Sequence, residues 1–440
     1  MPPSGRLRVR RCSPPPPDDL LQLESATTVT TTAMRRRPTT STTLAFRSLL
    51  AIAAALALAA AAPRPLAAQK GAAAAPQRPR LAPDADTNDP DAYFEYGNLR
   101  ETPWKKSQDA FYWAYRLDPR QPVFLLAQWQ ALWMKQSPEW RQAYREGAEY
   151  AVKSKESKQL DSLLLFLMTR DPFAHFSGGC YLPSWIDQVD DPFESGWIRY
   201  DGMCYGQAAE QWAKVLAKRP GLAGLRIDRA KALHFSHANG LALQELQTAL
   251  DTLRARDDKK LRHVYESKEM LEYMIGMIQI EEENYAAARE AFGRALTENL
   301  SFYQAHARIG DIDLLQGDPA AAIAEYDQAA QLNSDDPVLR DNYGVALMRA
   351  SKPNFADAET QFRKAIELAP EYPNPYYNLA VALTHEGRKA EAVAQYQEFV
   401  DRAPRRELTL ITNARKAIAV LNATPAATAT GTTPPSGVKP

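Results

Sequence analysis

Net charge, catalytic signatures and long apolar runs are what this 440-residue sequence has least of. Its 53 basic residues are cancelled by 53 acidic ones, so a polyelectrolyte such as nucleic acid finds no complementary field over the whole chain. No glycine-rich phosphate loop, serine elbow, HExxH pair or CxxCH site occurs, which removes the reaction classes that those spacings serve. The longest run of small and apolar residues, Ser48 to Ala62, has 15 members, short of the ~20 that span hydrocarbon. Cysteine is nearly absent, with three in all. What is present is a globular balance, 45% hydrophobic and 24% charged, so wholesale disorder is excluded. The length allows two or three domains or one long array.

The first 91 residues are unlike the rest. Pro14–Pro17 and the threonine-rich Thr27–Thr32 mark residues 1–33 as an unstructured segment, one that need not be translated if the chain starts at Met34. From Met34 the order changes: Arg35, Arg36 and Arg37, then the apolar run, then Pro63. A basic cluster followed by an apolar stretch and small residues is the order of a secretory signal peptide, so 34–68 is expected to direct export, with cleavage after Ala68 or Ala61. An uncleaved anchor in the inner membrane is the alternative. Residues 1–68 hold nine arginines against three acids (Asp18, Asp19, Glu24), so the remainder is acidic by six charges. Residues 69–91, rich in Ala, Pro and charge, are expected to be a linker.

Between Glu269 and Pro404 the chain repeats. Gly276, Gly310 and Gly344 recur every 34 residues, and Ala380 follows 36 later because the Ser351–Asn354 turn carries two extra residues. Alanine returns twelve residues after the small residue at Ala288, Ala322 and Ala392, and fourteen after it at Ala358. Four further on stands an aromatic: Phe292, Tyr326, Phe362 and Tyr396. Ala295, Ala329 and Ala365 come three later, where Phe399 breaks the rule, and Pro370 and Pro404 close the last two units. Each unit holds two stripes of helical period about a Gly or charged turn. The small residues let two helices approach, the aromatic fills the wedge, and stacking must bury what one hairpin cannot.

This pattern resembles the tetratricopeptide repeat family, of the exported bacterial type, whose units are 34-residue helix–turn–helix hairpins. The resemblance implies an all-α fold, a right-handed α–α superhelix, with four clear units over 264–404. Weaker echoes (Ala208, Trp212 and Pro220; Ala230, Ala242, Leu246 and Ala249; Phe111, Ala114 and Pro119) extend a degenerate form over 92–263. An excess of about a dozen residues near Asp257–Tyr265 interrupts it. Residues 405–423 are expected to be a capping helix over the last repeat, and 424–440, almost wholly Thr, Pro, Ala and Gly, a disordered tail.

In the family the first helices line a concave groove. Carried over position by position, the resemblance implies a protein-binding face at Met270, Tyr273, Met277, Ile280, Asp311, Leu314, Asp341, Val345, Met348, Tyr377 and Val381. Asn342 and Asn378 match the asparagine of the family's carboxylate clamp. Lysine is missing from the fifth position and asparagine from the ninth, so that clamp is not expected. An apolar lining with a few acids suits an extended or helical apolar segment, one that carries basic charge. Packing of these residues against neighbouring repeats is the competing use.

Asp171–Gly206 falls outside the repeat pattern: an aromatic insertion with Phe173, Phe176, Tyr181, Trp185, Phe193, Trp197, Tyr200 and Tyr205. Cys180 and Cys204 bracket its second half, and an even count in an exported chain points to one disulfide; two reduced thiols are the alternative. Asp187, Asp190, Asp191 and Glu194 stand among the rings. Rings with carboxylates could bind a sugar or hydrolyse one, although aspartates before Pro and Gly also form turns. His234 and His237 share no further ligand, so no metal is expected.

The sequence therefore predicts a non-catalytic interaction scaffold or adaptor of the cell envelope. It would bind a protein or peptide segment, with no cofactor, metal or nucleic acid, in a periplasmic or extracellular setting. An envelope glycan-binding protein or hydrolase centred on residues 171–206 is the second expectation.

Overall fold

The computed structural model describes residues 76–99, 102–134, 155–175, 179–255 and 266–423. The expectations for 1–33, 34–68 and 424–440, and the whole 257–265 interruption, lie outside these residues. Among the described residues the chain is all-helical, with seventeen α-helices, one short 3-10 turn and no strand. No helix among them is long and apolar enough to cross a membrane.

The helices succeed one another as hairpins. They are α1 (Pro90–Asn98) and α2 (Trp104–Leu117), α5 (Pro192–Asp201) and α6 (Tyr205–Lys218), and α7 (Ala223–Phe235) and α8 (Asn239–Arg254), while α3 (Pro122–Met134) and α4 (Lys155–Arg170) pack on each other. The regular half follows with α9 (Lys268–Glu281) and α10 (Tyr285–Glu298), α11 (Tyr303–Leu315) and α12 (Pro319–Leu332), α13 (Pro337–Arg349) and α14 (Phe355–Leu368), and α15 (Asn374–His385) and α16 (Lys389–Arg402). The last helix, α17 (Leu408–Ala423), packs on α16 through Ile411 and Ala414, both buried. Each helix packs chiefly on its chain neighbours, the arrangement of an α-solenoid.

Local chemistry starts these helices where they start. Asn284, Asp318 and Asn354 accept backbone N–H groups three residues on, at Ala287, Ala321 and Asp357, and Asp336 caps α13 through Val338 and Leu339. Such caps satisfy donors that a helix leaves orphaned. Within the hairpin the glycines have a plain steric purpose. A Cβ on Gly276 would stand 2.4 Å from Cε1 of Phe292, and one on Gly344 would be equally close to Phe362. The ring of the second helix occupies the place where the first has no side chain.

That seat recurs beyond the regular half. A Cβ on Gly97 would meet Phe111 at 2.5 Å and one on Gly196 would meet Trp212 at 2.2 Å. Only the first part of the aromatic segment therefore departs from hairpin packing. Its second part is α5, the first helix of a hairpin with α6, and Trp212 is fully buried between them. The turns agree: Met203, His237, Glu283, Gly317 and Gly387 each lie two residues past the first helix of a hairpin, and all have positive φ.

Residues 76–89, which read as linker, are held in place from residue 76 onward. Trp113 Nε1 donates to the Pro76 carbonyl at 2.9 Å, and Arg78 Nε donates to Tyr93 Oη at 2.8 Å.

Candidate functional site

The eleven residues expected to line the groove fall on α9, α11, α13 and α15, the first helices of the regular hairpins. Met270, Tyr273 and Asp341 are buried, and the other eight are half-buried. The face thus divides into positions built into the packing and positions that keep some surface.

Tyr273 belongs to the first kind. Its ring lies 5.5 Å from Phe292 and 5.2 Å from Phe302, centroid to centroid, and its hydroxyl accepts from Arg308 Nε at 3.2 Å. Burial raises the Tyr273 hydroxyl above the usual phenol range. Asp341 accepts from Asn378 Nδ2 at 2.8 Å and from the Tyr372 hydroxyl at 3.3 Å. Burial pushes its carboxyl up to about 6, against the pull of Asn378 and Arg120 toward the ionised form. Asp311 takes three donors: Tyr326 Oη at 2.7 Å, Arg308 Nη1 at 3.0 Å and Asn342 Nδ2 at 3.1 Å.

These contacts give the two family-matching asparagines a use. Asn342 reaches back to Asp311 and Asn378 to Asp341, so each staples its hairpin to the preceding one. The rest of the face is apolar. Met277 and Ile280 border the core of α9 and α10, while Leu314, Val345, Met348 and Val381 border the cores of the next three hairpins. Tyr377 packs edge-on against Tyr396 and Phe399, at 5.6 and 5.1 Å.

A second arrangement, with no warning in the sequence, brings residues between 86 and 170 onto these repeats. Arg170 pairs with Asp336 at 2.5 Å, and its carbonyl accepts from Arg308 Nη2 at 3.1 Å. Arg116 donates to Glu371 at 2.8 Å and to the Leu368 carbonyl at 3.3 Å, and Arg120 lies over the Tyr372 ring. Asn88 donates to the Asp401 carbonyl at 2.6 Å, the backbone N–H of Arg405 donates to Asp86, and Arg406 pairs with both Asp89 and Asp91. The connections between the last hairpins are thus tied, largely by arginines, to the ends of α2 and α4 and to residues 86–91.

The aromatic segment is bridged by the Cys180–Cys204 disulfide, with Cα atoms 4.7 Å apart. Tyr181 and Trp185 are exposed beside it. Asp191 caps α5 through Phe193 N, and Asp187 faces Arg199 at 3.5 Å; both have structural duties, and Asp190 is exposed. Phe176 lies outside the described residues. Trp197, Tyr200 and Tyr205 turn inward and form a ring cluster with Phe235. His234 bonds Asn239 at 2.8 Å and faces Glu281 at 3.5 Å, while His237 occupies a turn. Among the described residues no group of three or more His, Cys, Asp or Glu is placed to hold a metal ion.

Residues 273–337 and 344–407 match the tetratricopeptide repeat family model, across the hairpins just described. The chain carries tetratricopeptide repeats. A stretch of 123 residues is 29% identical to the cytochrome c-type biogenesis protein CycH of Rhizobium meliloti (strain 1021), covering 28% of this chain and 30% of that protein. The chain therefore spans less than a third of that relative's length. Among solved structures, YrrB, described as a TPR protein with an unusual peptide-binding site, is 20% identical, with a TM-score of 0.38 over 47% of this chain and 99% of its own. The C-terminal part of a TPR repeat-containing protein from Cytophaga hutchinsonii is 17% identical, with a TM-score of 0.40 over 52% of this chain and 95% of its own. Pseudomonas aeruginosa PilF is 15% identical, with a TM-score of 0.38 over 48% and 91%.

Proposed function

We propose that this tetratricopeptide repeat protein is a non-catalytic scaffold of the cell envelope that holds a segment of another protein against the first helices of its regular hairpins. The observation that carries the reading is the half-buried apolar series Met277, Ile280, Leu314, Val345, Met348 and Val381, repeated over four stacked hairpins. A face of this kind offers a partner helix or extended strand apolar contacts at a regular interval. Asp311 and Asp341 are engaged by donors of their own chain, so recognition is apolar first, with the acidity of the chain after residue 68 favouring a partner that carries basic charge. The signal-peptide-like order of residues 34–68, a basic cluster and then an apolar run, supports the envelope setting. Similarity to a protein of cytochrome c biogenesis supports a role in the assembly of another protein.

Site-specific photo-crosslinking in intact cells tests the reading. A crosslinker at Val345 or Met348 should capture one defined polypeptide, whereas one at the exposed Thr360 on α14 should not. Capture of the same polypeptides from both faces, or of none from the first, would contradict it.

A further inference from the structure

The contact of α4 with the regular hairpins is built around one arginine. Arg170, the last residue of α4, pairs with Asp336, the cap of α13, at 2.5 Å, and the two side chains are only 14% and 5% exposed. Its guanidinium lies over the Phe166 ring at 5.1 Å, and the hydroxyl groups of Tyr115 and Tyr303 stand within electrostatic reach. Arg308 on α11 donates to the Arg170 carbonyl at 3.1 Å. Asp336, Tyr303 and Arg308 all belong to the regular hairpins, which therefore present a socket for a basic residue that follows an apolar helix.

The chain on either side of Arg170 rests on the same face. Leu164, Met168 and Phe173 join the core that runs from α6 to α11, and Phe173 lies 4.3 Å from the His234 ring on α7, centroid to centroid. Residues 164–175 thus show what this face accepts: an apolar helix end, an arginine, and a ring beyond the turn.

The resident fit is incomplete. Among the described residues Arg170 Nε is buried without a hydrogen-bond partner, and such a donor carries a desolvation cost. Burial raises the Asp171 carboxyl, against the backbone N–H of Phe173 and the pull of Arg308, so the acid that follows the arginine is held at a further cost. A segment with an arginine and no acid behind it would take the same contacts without that second cost.

We propose that residues 164–175 are the resting occupant of a site for a polypeptide segment of like chemistry, an apolar helix ending in arginine, which displaces them and pairs its guanidinium with Asp336. The proposal rests on the reading that a partner segment lies along the first helices, and adds which residue of the partner is recognised and what must move.

A labelled synthetic peptide of residues 155–175 is the probe, and its binding to the full chain is read by fluorescence anisotropy. The unaltered chain should bind it weakly, because its own segment competes and apparent affinity falls with the fraction of open sites. Arg170→Met in the chain should tighten binding at least about tenfold. The gain should vanish when Asp336→Asn is added to that chain, or when the peptide itself carries Arg170→Met. Equal binding to the two chains, or a gain that survives either change, would overturn the proposal. If Arg170→Met loses its circular dichroism signal, hydrogen exchange on the unaltered chain decides. Residues 164–175 should then exchange ahead of α11 and α13, and exchange in step with those helices would contradict displacement. Crosslinking at Val345 or Met348 that captures no polypeptide would overturn both the reading and the socket. Defined capture there with a failed peptide series would overturn the socket alone.

Discussion

The two halves of the solenoid solve one packing problem with different materials. In the regular half, α9 to α16, glycine faces an aromatic ring inside three successive hairpins, and side-chain amides tie one hairpin to the next: Asn342 to Asp311, Asn378 to Asp341. In the earlier half the same seat occurs at Gly97 and Phe111 and at Gly196 and Trp212. There the supports around it are a disulfide and a cluster of aromatic rings. The seat is therefore the general device, because it sets how closely two helices approach. The ties around it vary with what each stretch of chain can supply.

The sharpest way to break the comparison is to empty the seats. Trp212→Ala and Phe292→Ala each leave a cavity at a fully buried site, and each should cost about 3–5 kcal/mol in denaturant unfolding. A much smaller loss for Trp212→Ala would mean that the earlier hairpin does not depend on its seat as the later one does. Next in size, replacing Cys180 and Cys204 together by Ser should cost roughly 3 kcal/mol, the chain-entropy value for a loop of this length. The loss should fall on the earlier half, read by tryptophan fluorescence.

A pH dependence sharpens the contrast on the other side. The Asp341 carboxyl rises from 3.8 to about 6 on folding, so between those values the folded state holds the proton more tightly than the unfolded one. Its contribution is fully present below pH 3.8 and is lost as the pH rises through about 6, a change of about 3 kcal/mol. Asp341→Asn should flatten the stability profile across that window, measured as urea midpoint against pH. An unchanged slope would remove Asp341 from the account. The smallest effect concerns the turns. Glu283→Gly should gain about 1 kcal/mol by relieving a left-handed backbone, and Gly317→Ala should lose a similar amount. Thermal midpoints of the two variants check both signs.

How far the sequence could be read follows from these same residues. The regular half was legible because Gly276, Gly310 and Gly344 keep a 34-residue register. The hairpin of α5 and α6 obeys that register too: Gly196 precedes Trp212 by sixteen residues, as Gly276 precedes Phe292, and Ala230 follows Gly196 by 34. It was hidden because Phe193, Trp197 and Tyr200 make α5 look like an irregular aromatic segment. Of the candidate face, the helices that carry it could be placed, but not the burial of Met270, Tyr273 and Asp341, which depends on rings and amides from adjacent hairpins. The closure through Arg116, Arg170 and Arg406 leaves no local pattern, since its partners lie more than 150 residues away in sequence.

That closure makes the two halves one body, and repeat arrays otherwise tend to unfold piecemeal. All eight tryptophans lie between Trp104 and Trp212, so their fluorescence reports only the earlier half, whereas far-ultraviolet circular dichroism reports every helix. The most direct measurement is urea unfolding of the oxidised chain followed by both signals, with Arg170→Met beside it. Coincident transitions are expected in the unaltered chain, and in Arg170→Met the fluorescence transition should move to lower urea and separate from the dichroism. Separate transitions already present in the unaltered chain, or coincident ones in Arg170→Met, would contradict the coupling.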